Sequence, residues 1–148
     1  MVTLPPFNAA GDLPPGVYCA TMAEVEQRFM GATDQRALVT RRLRHIHEVA
    51  HRSGHVDRFI VFGSYVTNKS SPNDVDVVLV MDDHFRCEEC PVECRGIFNH
   101  AIAQARFGAS VFWIRPGLMI GETVEDFVAH WQQKRDGTLR GIVEVTNP

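Results

Sequence analysis

Two segments of this 148-residue chain point to its fold: Phe59-Ile60-Val61-Phe62-Gly63-Ser64 and, after nine intervening residues, Asp74-Val75-Asp76-Val77-Val78-Leu79-Val80. Both runs are rich in β-branched and aromatic residues, which predicts two strands with a sharp turn at Gly63. The second run continues to Met81 without the alternation of a half-exposed strand, which is typical of a strand covered on both faces. We therefore expect these two strands to form the centre of the core.

The glycine and serine lie where the first strand ends. Glycine lets the backbone turn closely, and a short helix that starts there has free N–H groups to which Ser64 adds a hydroxyl donor. Lys69 lies among the nine residues between the two segments and would bring a positive charge to this turn. Turn residues in such a connection also occur for purely conformational reasons. Gly63, Ser64 and Lys69 are therefore the predicted phosphate- and nucleotide-binding residues.

The acidic pair opens the second strand. Asp74 and Asp76 are one residue apart, so the two-residue period of a strand predicts both carboxylates on one face, with Val75 and Val77 on the other. Two adjacent carboxylates repel each other and need a cation between them. Their hard oxygen atoms suit Mg²⁺ or Mn²⁺, and Mg²⁺ is often bound by one or two carboxylates together with substrate phosphates. The pair is the predicted metal site.

This pattern over residues 61–80 resembles the signature of the DNA polymerase β-like nucleotidyltransferase superfamily: Gly-Ser on a helical turn, a short spacer and Asp-x-Asp on the next strand. The chain is most similar to the superfamily's minimal bacterial members, which also begin with Leu-Pro-Pro-Gly, here residues 13–16, and end with Gly-Ile-Val-Glu, here residues 141–144. The resemblance implies an α/β (α+β) fold, a mixed sheet with helices packed against it. It also implies magnesium-dependent transfer of a nucleotidyl group from a nucleoside triphosphate to a hydroxyl acceptor, with Asp74 and Asp76 as catalytic residues.

One part of the pattern is missing. Active members of the superfamily carry a third carboxylate on a later strand, where it helps to hold a metal ion and can accept the proton of the attacking hydroxyl. In chain order that strand is residues 109–114, which contain no acid, and the nearest substitutes are Glu122 and Glu144 outside it. Losing a general base costs about 10²- to 10⁴-fold in rate. The alternative function is therefore a binding module without turnover, such as an antitoxin-like partner of a protein encoded nearby.

The rest of the chain predicts one domain behind an arm. Prolines at positions 5, 6, 14 and 15 favour an extended N-terminal arm over residues 1–20, followed by the nucleotidyltransferase-like domain over residues 21–148. A capping box at Thr21 and Glu24 predicts a helix that ends at Phe29. Further helices are predicted over residues 34–53, 95–106 and 124–135, and strands over residues 57–62, 75–81, 110–114 and 142–145.

Several classes of partner are disfavoured by composition. No stretch approaches the roughly 20 apolar residues of a membrane span, and the N-terminus does not look like a signal peptide, so we expect a cytoplasmic protein without a membrane partner. The net charge of −3 gives no overall attraction to nucleic acid. The basic residues of the second helix would allow such a partner but are equally explained by a solvated helix face.

Cysteine and tryptophan residues could each bind a ligand, but a simpler explanation accounts for both. Cys87, Cys90 and Cys94 lack a second Cys-x2-Cys pair at zinc-finger spacing, so we expect a charged surface loop rather than a zinc site. Trp113 and Trp131 each lie in an apolar stretch and are expected to pack in the protein rather than to stack on a base.

Overall fold

The computed structural model describes residues 4–31 and 33–147, and within these ranges the chain forms five strands and a series of mostly short helices. The strands are β1 (Val17–Thr21), β2 (Val56–Phe62), β3 (Val75–Met81), β4 (Ala109–Ile114) and β5 (Ile142–Thr146). The α-helices are α1 (Met22–Phe29), α2 (Asp34–His51), α3 (Val92–Arg95), α4 (His100–Ile102) and α5 (Val124–His130).

The strands form one mixed sheet in the order β1-β5-β2-β3-β4. β2 pairs antiparallel with both β3 and β5, whereas β1 pairs parallel with β5 and β4 pairs parallel with β3. This mixed sheet with helices packed against it confirms the predicted α/β (α+β) fold class. β3 covers the predicted residues and is almost entirely buried, as its unbroken apolar sequence requires.

The two faces of the sheet are covered unequally. One face packs against α1 and α2 in the main core, to which the central strands contribute Phe59, Val61, Val77 and Leu79. The other face has a smaller core in which Ile60, Val78 and Val80 pack against Val128 of α5. Because α5 is only seven residues long, it covers part of this face. The end of the face near the β2–β3 turn is left open as a cleft.

The first two helices each begin at a threonine cap, and the sequence predicted the one at Thr21. Thr21 Oγ1 accepts from the N–H of Glu24 at 3.2 Å while Glu24 Oε1 accepts from the N–H of Thr21 at 2.9 Å, which completes the capping box. Thr33 caps α2 by accepting from the N–H of Arg36 at 3.1 Å. Removing such a cap typically costs about 1 kcal/mol.

The predicted arm and the predicted helix over residues 124–135 both extend too far. Residues 17–20 of the arm belong to β1, which is held at the sheet edge by pairing with β5, a segment more than a hundred residues away that local sequence cannot reveal. α5 ends at His130, and the chain then turns through hydrogen bonds from Trp131 to Val128 O and from Gln132 to Ala129 O.

The helix predicted over residues 95–106 is divided. Asn99 has extended backbone angles (φ −113°, ψ 117°) and its side chain accepts from the N–H of Ile102 at 3.1 Å, so it starts a new helix instead of continuing the old one. α4 continues into a π-turn over Ala103–Phe107, which ends at the predicted Gly108 with φ 62°.

The cysteine segment does not form a surface loop throughout. Cys90 and Cys94 are buried in the main core, and Cys87 packs against it. Burial and the neighbouring Cys94 raise the pKa of Cys90 to about 12, so its thiol stays protonated and unreactive. The expectation of a charged surface loop was therefore wrong for Cys90 and Cys94, because residues such as Phe85 and Ile97 carry this segment into the core.

A buried arginine fixes the loop that follows β2. Arg36 of α2 donates to the carbonyl oxygens of Phe29 (2.8 Å), Tyr65 (2.9 Å), Thr67 (2.5 Å) and Lys69 (2.9 Å). Its side chain is thus satisfied by backbone dipoles, and burial lowers its pKa without discharging it.

In the described part of the chain no helix has the length and apolar character needed to cross a membrane.

Replacing Arg36 tests whether its hydrogen bonds hold the loop after β2 in place. Arg36→Met leaves four carbonyl oxygens without their donor, and each unsatisfied buried group costs roughly 1–3 kcal/mol. We expect the free energy of unfolding in urea to fall by about 3 kcal/mol or more. Arg41→Met, on the exposed side of the same helix, is the control and should change it by less than about 0.5 kcal/mol. If both variants lower the free energy of unfolding equally, the hydrogen bonds of Arg36 do not hold the loop.

Candidate functional site

The open end of the sheet holds a cleft of about 810 Å³, within the size range of small-molecule sites. Its floor is a row of three side chains from adjacent strands. Asp76 of β3 is paired in register with Phe62 of β2 on one side and with Ser110 of β4 on the other. The remaining lining comes from β4, from the start of α4, from the end of α5 and from the segments that follow β2 and α5: Gly63, Ser64, Lys69, Asn73, His100, Phe112, His130, Trp131, Gln133, Lys134, Arg135 and Arg140.

Gly63 is the residue that lets the backbone pass this floor. It ends β2 with φ 81° and ψ −164°, in a region that favours glycine, and the three-residue 3₁₀ turn Ser64–Val66 follows it. A Cβ atom on Gly63 would overlap Oδ2 of Asp76. The carboxylate of Asp76 therefore lies directly against the Gly63 backbone, and the predicted turn into a short helix is confirmed.

Asp76 is an unusual carboxylate. Burial, followed by the nearby charge of Asp74, raises its pKa to about 6, while the Ser110 hydroxyl and Arg140 act in the opposite direction. Asp74 lies immediately before β3, not on it as predicted, and it does not line the cleft. The strand begins at Val75 because pairing with Ala109 of β4 starts there. The two carboxylates nevertheless remain close enough to interact.

This pair fits a divalent cation. A carboxylate that is largely removed from water and lies near a second negative charge is stabilised by a proton or by a metal ion. Within residues 4–31 and 33–147 no group of three or more His, Cys, Asp or Glu side chains is placed to hold a metal. The residues that could hold such an ion are Asp76 and Asp74, because carboxylate oxygens are ligands that suit Mg²⁺.

Positive charge also lines the cleft. Lys69, Lys134, Arg135 and Arg140 all contribute to its surface. Lys134 Nζ lies 3.0 Å from Asp12 Oδ2 and Arg140 Nη1 lies 3.8 Å from Asp12 Oδ1. Asp12 is buried in the N-terminal segment, so one carboxylate holds two of the cations in place. The four cations outnumber the acids around them, and the cleft is therefore suited to an anion.

Aromatic rings form the remaining wall. The ring centroid of Trp131 lies 4.7 Å from that of Phe62 and 5.1 Å from that of Phe112, and His100 lies 5.1 Å from Phe112 on its other side. Trp113 points elsewhere and donates from Nε1 to the carbonyl of Phe98 at 3.1 Å. The two tryptophans therefore differ: both pack in the protein, but Trp131 also lines the cleft.

Comparison with known proteins places the chain in one family. Residues 5–146 match a family of unknown function, DUF6932. The chain belongs to that family. No curated protein and no solved structure matches it. Since the matched segment includes every residue of the cleft and the family description gives no activity, the function of this DUF6932 chain has to be argued from the chemistry of the cleft.

The predicted site residues can now be placed. Gly63, Ser64, Lys69 and Asp76 line one cleft, with Asp74 beside it. The two proposed substitute acids do not line it: Glu144 accepts from Arg58 Nη2 at 2.6 Å, and Glu122 is exposed in the loop before α5. Ser110 occupies the position next to Asp76 on the strand where the third acid was sought.

The sequence analysis missed several cleft residues, namely His100, Phe112, His130, Lys134, Arg135 and Arg140. The basic run Lys134-Arg135, with Arg140 shortly after, was the available signal. It was not recognised because Lys134 and Arg135 were assigned to the end of a helix, whereas α5 ends at His130 and the chain then turns back towards the sheet.

A glycine comparison tests the close approach of Asp76. Gly63→Ala has to adopt a left-handed backbone and also displaces the Asp76 carboxylate, whereas Gly54→Ala has a similar φ of 78° and nothing within 4 Å of its new methyl group. We expect both to lower the free energy of unfolding, and Gly63→Ala to lower it by about 1–3 kcal/mol more. Urea unfolding measures both. If the two glycine variants lose equal free energy of unfolding, or if adding Asp76→Ala to Gly63→Ala does not raise it, Asp76 does not constrain this position.

The pKa of Asp76 predicts a pH dependence of stability in metal-free buffer. Its folded value of about 6 lies above the ordinary 3.8, so the native state binds the proton more tightly. The free energy of unfolding should therefore fall as the pH rises from about 4 to about 6 and then level off. Asp76→Asn should remove this slope and be more stable than wild type at pH 8 by about 1–3 kcal/mol.

Asp57→Asn, on an exposed position of β2, is the matched control. It should keep the wild-type slope. If Asp76→Asn and wild type have parallel curves between pH 4 and pH 6, the carboxylate of Asp76 is not the group that titrates there.

Proposed function

We propose that this protein binds a nucleoside triphosphate together with Mg²⁺ or Mn²⁺ and transfers a nucleotidyl group to a hydroxyl acceptor. One observation carries the proposal: Asp76, with Asp74 beside it, lies in the same cleft as four cations and the Gly63–Ser64 turn. A metal–triphosphate complex has the complementary charges, since its cation matches the carboxylates and its phosphates match the lysines and arginines.

Each group has a separate task in this reaction. The bound cation would act as a Lewis acid that polarises the phosphoryl group and neutralises charge on the leaving pyrophosphate. Asp76 and Asp74 hold that cation, and Gly63 leaves room for the carboxylate of Asp76. Lys134 and Arg140 are kept at the cleft by Asp12, so their charges are already oriented before a phosphate arrives. Lys69 adds a further charge from the loop that Arg36 fixes.

A second candidate, a binding module without turnover, is favoured by Ser110. This residue is directly paired with Asp76, and its hydroxyl accepts from Gln104 Nε2 at 3.3 Å. A serine in this place does not supply the basic carboxylate that would take the proton of an attacking hydroxyl. In this version the cleft still binds the nucleotide, and the protein serves as an antitoxin-like partner of a protein encoded nearby. Ligand binding is common to both candidates, and the rate of transfer separates them.

Ligand-dependent stabilisation tests the shared part of both candidates. A nontransferable nucleoside triphosphate with Mg²⁺ should raise the melting temperature of wild type, because a ligand at 100 times its Kd adds about 2.7 kcal/mol to the stability of the folded state. The double variant Asp74→Ala, Asp76→Ala should lose this rise whatever its own melting temperature. Asp57→Ala is the control and should keep it. An unchanged rise in the double variant would place the ligand elsewhere.

Restoring an acid at Ser110 tests the rate. Val111, the next residue on β4, is buried in the main core, whereas Ser110 is paired with Asp76. Ser110→Asp should increase pyrophosphate release from a nucleoside triphosphate by more than tenfold, towards the roughly 10²- to 10⁴-fold contribution of a general base. Ser110→Asn introduces a side chain of the same size as aspartate but without a basic carboxylate, so it should not increase pyrophosphate release.

The comparison has two clear outcomes. A wild type with ordinary turnover, about 1 s⁻¹ or more, that Ser110→Asp fails to increase would show that another residue is the base. A wild type that binds the nucleotide with no detectable turnover, and gains it with Ser110→Asp, would favour the binding module.

A further inference from the structure

We infer that Phe112 and Trp131, with Phe62 behind them, form a stacking platform for the planar base of the nucleotide. The inference rests on the proposed function and extends it, because it assigns the ligand as a nucleoside triphosphate and excludes an inorganic polyphosphate or a phosphorylated sugar without a base. It also makes the cleft a complete nucleotide site within this chain, with no further domain needed to hold the base.

The platform is placed correctly relative to the phosphate-binding end. Ser110 and Phe112 lie on the same face of β4, and Ser110 is paired with Asp76. Two residues of strand separate their positions by about 7 Å. A nucleotide spans a comparable length between its phosphates and its base, since the sugar lies between them. A triphosphate bound near Asp76 can therefore extend its base along β4 to the ring of Phe112.

The exposure of Phe112 is not explained by packing. Among the described residues it belongs to neither core, and 37% of its surface remains accessible. The ring neighbours of Phe112 are His100, Phe62 and Trp131, with centroid distances of 5.1, 6.3 and 5.1 Å. An apolar ring left open among basic side chains costs free energy unless something covers it. A nucleobase has the flat apolar face that covers the ring and is attached to the anion that the basic side chains attract.

Trp131 extends the aromatic surface, because its ring centroid lies 5.1 Å from that of Phe112 and the residue lines the same cleft. Its Nε1 atom is buried and has no hydrogen-bond partner among the described residues, unlike that of Trp113, which donates to Phe98. Buried indole N–H groups normally have a partner, and an orphan costs free energy. Because this atom is buried, a base in the cleft would contact the ring of Trp131 and not its N–H group.

Tryptophan fluorescence offers a direct readout, because the chain has only two tryptophans. In a Trp113→Phe variant the remaining emission comes from Trp131. A nontransferable nucleoside triphosphate with Mg²⁺ should change this emission on binding, and inorganic tripolyphosphate with Mg²⁺ should bind with little change. The four common nucleoside triphosphates are compared in the same way, because stacking alone tolerates any base.

Substitution of Phe112 tests the contribution of stacking to affinity. Phe112→Leu keeps an apolar side chain without the aromatic face and should weaken nucleotide binding by about 5- to 150-fold, while the affinity for tripolyphosphate changes less than twofold. Phe112→Tyr should restore the affinity for the nucleotide. Ile120→Ala, an exposed apolar residue outside the cleft, is the control and should alter neither ligand.

The outcomes separate this inference from the proposed function. If nucleotide and tripolyphosphate bind equally well and Phe112→Leu affects neither, the platform is wrong but the triphosphate site stands. If tripolyphosphate and nucleotides both fail to bind in the presence of Mg²⁺, the proposed function fails and the platform fails with it.

Discussion

The contact between the Asp76 carboxylate and the Gly63 backbone is the constraint on which the whole site depends. It exists because β2 and β3 are antiparallel neighbours with Phe62 opposite Asp76, so that the turn after β2 passes over the carboxylate. A side chain at Gly63 would overlap Oδ2 of Asp76 and displace the carboxylate. The contact also removes Asp76 from water, which together with Asp74 raises its pKa to about 6. The charged form of Asp76 is thus destabilised in the fold, and a bound cation would stabilise it.

Two other buried charges keep the surrounding loops in place. Arg36 holds the loop from Tyr65 to Lys69 through the carbonyl oxygens of its backbone, and Asp12 holds Lys134 and Arg140 from the N-terminal segment. Both groups come from elements that lie outside the sheet, yet each fixes residues that line the cleft. Within the described residues, these contacts order charged side chains of a cleft on a face that one short helix partly covers.

Much of the fold was predictable, because it follows from local patterns. The apolar run Val75–Met81, the capping box at Thr21 and the stop at Gly108 correspond to single physical requirements that short segments express. β1 and the early end of α5 were missed because both depend on distant partners. For the site, Gly63 and Asp76 were identified from their spacing. The cations of residues 134–140 and the aromatic wall were not, since a chain reversal after His130 brings them to the cleft.

The most direct test of the central claim is a crystal structure grown with Mn²⁺ and a nontransferable nucleoside triphosphate, with the ion located by anomalous scattering. The account predicts an Mn²⁺ peak at coordination distance from the carboxylate of Asp76, bridged to phosphate oxygens that face Lys134 and Arg140. An ion bound elsewhere, or a triphosphate in the cleft with no ion at Asp76, would contradict it.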